Sequence, residues 1–207
     1  MKRILSISAA LAVLGLAALP APGANLLSNG DFNTGDLTSW WIYVPEATSN
    51  QNISALPADG FSYDSSPYSY SWNHGASATG ILGQDVDMAA GTQYSVSLEY
   101  RANNWGGGGV GIWYWDSTWT QIGWEWTSLY TGNGTDTGWQ AFTSPTWTAP
   151  ANTAHVSLRL DTWSWSDTYY DNVSLDAVPE PSTLALLSGG LIFLMAQGRR
   201  NARKRAA

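Results

Sequence analysis

The stretch "YSVSLEY", residues 94–100, places Tyr94, Val96, Leu98 and Tyr100 on one side of an extended chain and Ser95, Ser97 and Glu99 on the other. The stretch "VSLRL" does the same with Val156, Leu158 and Leu160 against Ser157 and Arg159. Strand side chains alternate with a period of two, so each stretch predicts a half-buried strand. Eight further runs read as strands: "ANLLS" (24–28), "NISAL" (52–56), "YSYSW" (68–72), "ILGQDV" (81–86), "VGIWYW" (110–115), "IGWEWTSLY" (122–130), "WQAFTS" (139–144) and "YYDNVSL" (169–175). Turns such as "NNWGGGG" and "TGNGTDTG" separate them. Ten short strands at this spacing predict an all-β fold, an antiparallel β-sandwich.

Charge is distributed unevenly along the chain. Of nine basic residues only Arg101 and Arg159 fall within 25–177, against 15 of the 16 acids, a formal balance of −13 for that segment. Such a surface repels phosphate backbones and excludes nucleic acid as a natural partner. There is no cysteine, so the domain is held by its core or by a metal, and thiol nucleophiles are ruled out.

The two ends read as addresses. Residues 1–24 combine Lys2 and Arg3, an apolar run from Ile4 to Leu19 and the small-residue stretch "PAPGA", the pattern of a secretory signal peptide removed by signal peptidase. Residues 178–207 contain Pro179, Glu180 and Pro181, then an uncharged run from Leu184 to Ala196, then five cations between Arg199 and Arg205. As a helix the run is only ~20 Å long at about 1.5 Å per residue, yet cations at its end snorkel and extend the reach of a short transmembrane helix. The order of these parts in "VPEPSTLALLSGGLIFLMAQGRRNARKR" resembles the PEP-CTERM sorting signal. The resemblance implies that Pro179, Glu180 and Pro181 form a sorting motif recognised by an exosortase. It further implies a transient inner-membrane intermediate and delivery to the cell surface or extracellular matrix of a Gram-negative-type bacterium that makes exopolysaccharide.

Between the addresses, "NLLSNGDFNTGDLTSWW", "GQDVDMAAGTQYSVSLEYRA" and "YYDNVSL" are similar to the galactose-binding-like jelly rolls, especially carbohydrate-binding modules of families four, nine and twenty-two. That resemblance implies a structural Ca2+ ion near Asp31 and Asp171, with the backbone at Gly60 as a further ligand. Asn33 stands where that family keeps a glutamate. Calcium takes six to eight oxygens, more than these residues supply alone.

All 13 tryptophans lie within 25–177. The resemblance implies buried roles for Trp40 or Trp41 and for Trp139. In "VGIWYW", Val110, Ile112 and Tyr114 fill the core and send Trp113 and Trp115 to the opposite face, which Glu99 and Arg101 are expected to share. Trp124 and Trp126 alternate with Glu125 and are expected on one side of their strand, while Trp105, Trp119, Trp163 and Trp165 fall in loop-like stretches. Sugar rings stack on aromatic faces while their hydroxyls bond to carboxylate and guanidinium groups, so Trp113, Trp115, Trp124, Trp126, Glu99 and Arg101 are the candidate glycan-binding residues.

A glycoside hydrolase needs two carboxyls placed about the scissile bond. Glu99, Glu125, Asp116 and Asp161 are candidates, but no motif singles out a pair. His74 and His155 lack partners at metal-ligand spacing. The sequence therefore predicts a non-catalytic exported protein that binds polysaccharide, with a structural matrix protein making protein contacts as the alternative and a hydrolase as the weaker one.

Overall fold

In the computed structural model of the chain, residues 23–44, 51–59, 62–73, 79–104, 106–131, 134–178 and 189–190 are described. Ala24–Ala177 form one compact unit that contains the whole hydrophobic core. The secretory segment up to residue 22, Gly60, His74, Trp105, the Pro179–Glu180–Pro181 motif and nearly all of the apolar run after it lie outside the described residues. Among the described residues no helix is long and apolar enough to cross a membrane.

The unit is an antiparallel sandwich of two sheets. The five-stranded sheet contains β1 (Trp41–Tyr43), β4 (Thr79–Asp87), β6 (Gly107–Trp115), β7 (Gln121–Thr131) and β10 (His155–Trp163), in the order β1-β4-β10-β6-β7. The six-stranded sheet contains β2 (Gln51–Leu56), β3 (Tyr68–Asn73), β5 (Gln93–Asn104), β8 (Gln140–Thr143) and β11 (Ser166–Val178), in the order β2-β3-β11-β5-β8, with the short β9 (Trp147–Thr148) also pairing with β5. Alternation decides the inner faces: Val96 and Leu98 of β5, Val110, Ile112 and Tyr114 of β6, and Val156, Leu158 and Leu160 of β10 are all buried in one core.

Three departures from the sequence reading carry physical reasons. "ANLLS" makes a single bridge, Asn25 to Asp176, rather than a strand, because it leads directly into the turn that Asn25 and Asn29 hold together by side-chain hydrogen bonds. The glycine run "GGG" of 107–109 is strand, not turn. A Cβ on Gly107 falls 2.4 Å from the Trp163 indole and one on Gly109 falls 2.4 Å from that of Trp126, so bare backbone here is the floor on which neighbouring rings lie. Strand β11 changes phase in the middle. Ser166, Thr168 and Tyr170 are buried before Asn172, Val173 and Leu175 after it, and Asn172 takes φ 50°. The switch buries Asp171, and asparagine tolerates the left-handed backbone that it requires.

Candidate functional site

The outer face of the five-stranded sheet is paved with indoles. Because Ile112 and Tyr114 point inward, Trp113 and Trp115 point outward, and the register pairs Trp113 directly with Trp124 on β7. Their rings stack with centroids 6.2 Å apart and planes 19° from parallel. Trp126, two residues on, shares that face and packs 5.5 Å from Trp163 of β10. Trp124 is 59% exposed, the most open large apolar side chain among the described residues. Trp41 of β1 lies flat over Gly83, where a Cβ meets its ring at 2.2 Å. Trp163 therefore belongs to a strand and its ring to this face, rather than to a loop.

Polar groups thread through the indoles. Trp115 donates its Nε1–H to the Ser157 hydroxyl at 2.8 Å, and Ser157 donates in turn to Asp85 at 2.5 Å, tying β6, β10 and β4 together. The Arg159 guanidinium sits 3.8 Å above the Trp113 ring, a cation–π contact. Its Nε is 3.5 Å from Asp161 Oδ1. Burial pushes the Asp161 carboxyl up to about 6, against the lowering effects of Arg159 and of Trp126. Among the described residues, three buried polar atoms of this face have no hydrogen-bond partner: Trp41 Nε1, Arg159 Nε and Asp161 Oδ1.

Glu99 and Arg101 do not share this face. Strand β5 lies in the six-stranded sheet, so alternation sends them to the opposite outer surface of the sandwich. Periodicity fixes which side of its own strand a residue takes, but the sheet a strand joins is decided by long-range pairing. There Arg101 is clamped by Asp136, with Nε 2.9 Å from Oδ1, and the guanidinium holds the Asp136 carboxyl below the usual range. The same surface carries Tyr70 stacked on Tyr169 at 4.9 Å and Tyr68 bonded through its hydroxyl to both oxygens of Asp59 at 3.1 Å. Trp139 stands edge-on to Tyr63 and Tyr68 at 5.7 and 6.2 Å; it is half-buried. Glu99 lies beside the Tyr63 hydroxyl and its charge raises that group.

Of the remaining tryptophans, Trp40 is buried against Phe32 at 5.4 Å and donates to the Asn29 carbonyl. Trp147 is buried against Tyr94. Trp119 and Trp165 are in turns and half-exposed, as their loop-like surroundings predict, and Trp119 stacks flat on His155 at 4.4 Å. His155 pairs with Asp87 at 2.7 Å.

A second polar site lies where β11 changes phase. Asp171 is fully buried, its Oδ1 accepts from the Asn172 N–H at 2.7 Å, and its Oδ2 has no partner. Burial pushes this carboxyl up to about 7, and the charges of Asp64 and Asp31 add to the rise. Asp64, in the loop before β3, is an acid that the sequence reading missed, because nothing in the spacing of Asp31, Asp64 and Asp171 links them. Asp31 bonds to the Asn33 backbone and side-chain N–H groups at 3.2 and 2.8 Å. An orphaned buried carboxylate oxygen with two further carboxylates acting on it is a set of hard oxygen donors and suits a hard divalent cation. Among the described residues no three acidic or histidine side chains already converge as a metal cluster.

The acids considered for hydrolysis fall on different surfaces: Glu99 on the six-stranded sheet, Glu125 opposite Ile112 on the inward side of β7, Asp116 capping the turn after β6 and Asp161 under the indoles.

Residues 177–200 match the PEP-CTERM protein-sorting motif, which marks an exported protein sorted to the cell envelope. No curated protein matches the chain by sequence. Among solved structures, the enzymatically active domain of tailspike protein 4 of bacteriophage CBA120 superposes with a TM-score of 0.61 at 14% identity, covering 74% of this chain and 21% of that one. The CBM22-1 xylan-binding domain of Xyn10C from Paenibacillus barcinonensis gives 0.53 at 10% identity over 79% of this chain and 99% of its own. The CBM22-1–GH10 modules of Clostridium thermocellum xylanase 10B, complexed with xylohexaose, give 0.55 at 14% identity over 74% and 28%. The chain thus spans about a fifth of the tailspike domain and all but a sliver of the isolated xylan-binding domain. At these identities the likeness shows the fold alone, an antiparallel β-sandwich of two sheets similar to the folds of carbohydrate-binding modules.

Proposed function

We propose that the 24–177 unit is a non-catalytic glycan-binding module of an exported protein, and that its binding surface is the indole-paved outer face of the five-stranded sheet. The observation that carries the reading is the stacked, outward Trp113–Trp124 pair, continued by Trp126 and Trp163 over a glycine floor. Flat aromatic faces beside polar groups match the alternation of C–H faces and hydroxyls on a sugar ring. Trp124 is exposed and Trp113, Trp115, Trp126 and Trp163 beside it are half-buried, so this face presents contiguous apolar surface to water, which marks an interaction site.

On this reading the secretory segment is removed by signal peptidase. The apolar run after Pro181 holds the protein transiently in the inner membrane until an exosortase acts at Pro179–Glu180–Pro181. The module then meets polysaccharide at the cell surface or in the extracellular matrix. The proposed calcium role belongs to Asp171, with Asp31 and Asp64 as the other carboxylates and the Gly60 backbone as a further oxygen. There the ion neutralises a buried carboxylate and fixes the turn at Asp31 against β11. Glu99 and Arg101 are left outside the binding surface.

The test is native affinity electrophoresis of the 24–177 unit across soluble polysaccharides, including the host's own exopolysaccharide. Retardation by at least one glycan, abolished by Trp113→Ala or Trp124→Ala without release of reducing sugar, is the expected result. Unchanged mobility in every gel overturns the glycan reading and leaves a matrix protein that contacts other proteins.

A further inference from the structure

The indole face has a polar centre, and the register locates it. Across the five-stranded sheet one row of paired residues reads Trp41 on β1, Gly83 on β4, Arg159 on β10, Gly111 on β6 and Trp126 on β7. Neither glycine leaves a gap. Trp41 covers Gly83, while the rings of Trp113 and Trp126 reach 2.6 and 2.9 Å from where a Cβ on Gly111 would stand. Arg159 therefore rises between two indole floors in the middle of a face about 19 Å wide, given strand spacings of ~4.8 Å.

Its surroundings leave its donors underused. The domain has two cations; Arg101 is clamped by short hydrogen bonds to a carboxylate on the other sheet, whereas Arg159 has only the looser 3.5 Å ion pair with Asp161. Arg159 Nε is buried without a hydrogen bond, its approach to Asp161 being 3.5 Å, and Trp113 covers one flat side of the guanidinium. Arginine held flat on an aromatic ring presents its remaining N–H groups in a fixed fork. Asp161, with its side chain 9% exposed and one oxygen unpaired, lies next to it under Trp126. Arg159 Nε and Asp161 Oδ1 face each other across 3.5 Å without forming a hydrogen bond, so a ligand atom that meets either of them adds a hydrogen bond that the folded chain lacks.

Charge selects what that something is. The 25–177 segment carries a formal −13, and the acids that share this face with Arg159 among the described residues include Asp161, Asp85 and Asp87, the last paired with His155. Such a field opposes polyanions at long range, so the one cation does not make a uronate site. We propose that Arg159 reads the ligand on this face, donating to the ring and hydroxyl oxygens of a neutral glycan, with Asp161 as the residue that positions its guanidinium. The proposal rests on the glycan-binding reading above and adds the class of ligand and the residue that selects it.

The experiment is affinity electrophoresis of the 24–177 unit in gels containing xylan, galactomannan or alginate, the last a uronate polymer, at low and high salt. The expected result is retardation by a neutral polymer that persists in high salt, weakened at least about tenfold in Arg159→Met, as befits loss of charge-assisted hydrogen bonds. Arg159→Lys keeps the charge and the stem over Trp113 but loses the fork, so it is also expected to weaken binding. It serves as the test if Arg159→Met melts early; binding equal to wild type in Arg159→Lys overturns the forked contact. Asp161→Asn is expected to weaken binding by a smaller factor. Wild-type retardation of Arg159→Met, with loss in Trp124→Ala, overturns the role of Arg159 and leaves the indole face standing. Preferential retardation by alginate that vanishes in high salt overturns the neutral class. No retardation by any polymer overturns the glycan reading, and this inference with it.

Discussion

The two outer faces of the sandwich are both rich in aromatic rings, yet they differ in what their polar groups have found. On the six-stranded sheet Arg101 is clamped by Asp136, Tyr68 by Asp59 and Tyr70 by Asp167 at 3.2 Å. Each of these three groups has thus found a carboxylate partner. On the five-stranded sheet the rings are indoles over glycine, and Trp41, Arg159 and Asp161 each keep a buried polar atom without a partner. Ring content alone does not distinguish a binding face from a merely stable one; unspent hydrogen-bonding capacity does.

The largest effect is expected from removing an indole from one face and a tyrosine from the other. Trp124→Ala is expected to abolish glycan retardation while leaving the melting temperature near wild type, since the ring is mostly exposed. Tyr169→Ala is expected to leave retardation intact. The opposite outcome in the same gels moves the binding site to the six-stranded sheet.

Next in size is the glycine floor. Gly83→Ala brings a Cβ to 2.2 Å of the Trp41 ring and forces that indole off the sheet. Overpacking of this kind costs about 1–3 kcal/mol, a fall of several degrees in thermal unfolding, accompanied by weaker retardation. A wild-type melt shows the floor to be dispensable.

The calcium proposal is sharpened by thermal unfolding with the ion and with chelator. Calcium is expected to raise the melting temperature of wild type by several degrees and to leave Asp171→Asn unmoved. An equal shift in both proteins removes Asp171 from the site.

A smaller effect follows from Asp161, whose carboxyl is pushed up to about 6 from an ordinary value near 3.8. The folded state holds this proton more tightly than the unfolded chain. Its contribution is therefore fully present below about pH 4 and is lost as pH rises through about 6. Asp161→Asn is expected to flatten that part of the stability profile. Glycan retention is expected to run the other way, strengthening from pH 5 to 7 as the carboxylate forms and holds Arg159. Beside Asp161 stand Arg159 on its own strand, Ile81 on β4, Gly109 on β6 and Trp126 on β7, and the next charges of this face, Asp85 and the Asp87–His155 pair, lie further along β4 and β10, so Arg159 dominates the profile. Identical profiles for wild type and variant remove Asp161 from that role. The least effect belongs to Arg101→Met, where loss of a partly exposed ion pair costs about 1 kcal/mol or less and leaves retardation unchanged.

Much of this was legible in the amino-acid order. Alternation in 94–100, 110–115 and 156–160 settled which residues fill the core, and so which way Trp113, Trp115 and Arg159 point, because side-chain direction along a strand is a local property. The basic and Pro-Glu-Pro elements of the C-terminus are likewise linear signals, read without any fold. Local pattern failed at Gly107–Gly109, where a run that looks like a turn is a strand whose missing side chains make room for rings arriving from β7 and β10. It failed again at Glu99 and Arg101, whose direction was foreseeable but whose sheet was not.

Local residue order dictates an exported β-sandwich with an outward row of tryptophans, since strand period, charge and sorting signal are each written within a few consecutive residues. Which side chains share a surface, by contrast, emerges only in the folded chain. That β5 and β6, neighbours in sequence, join opposite sheets, and that Arg159 meets Trp113 while Asp171 meets the charge of Asp64, depends on pairings between distant segments whose register no local pattern contains.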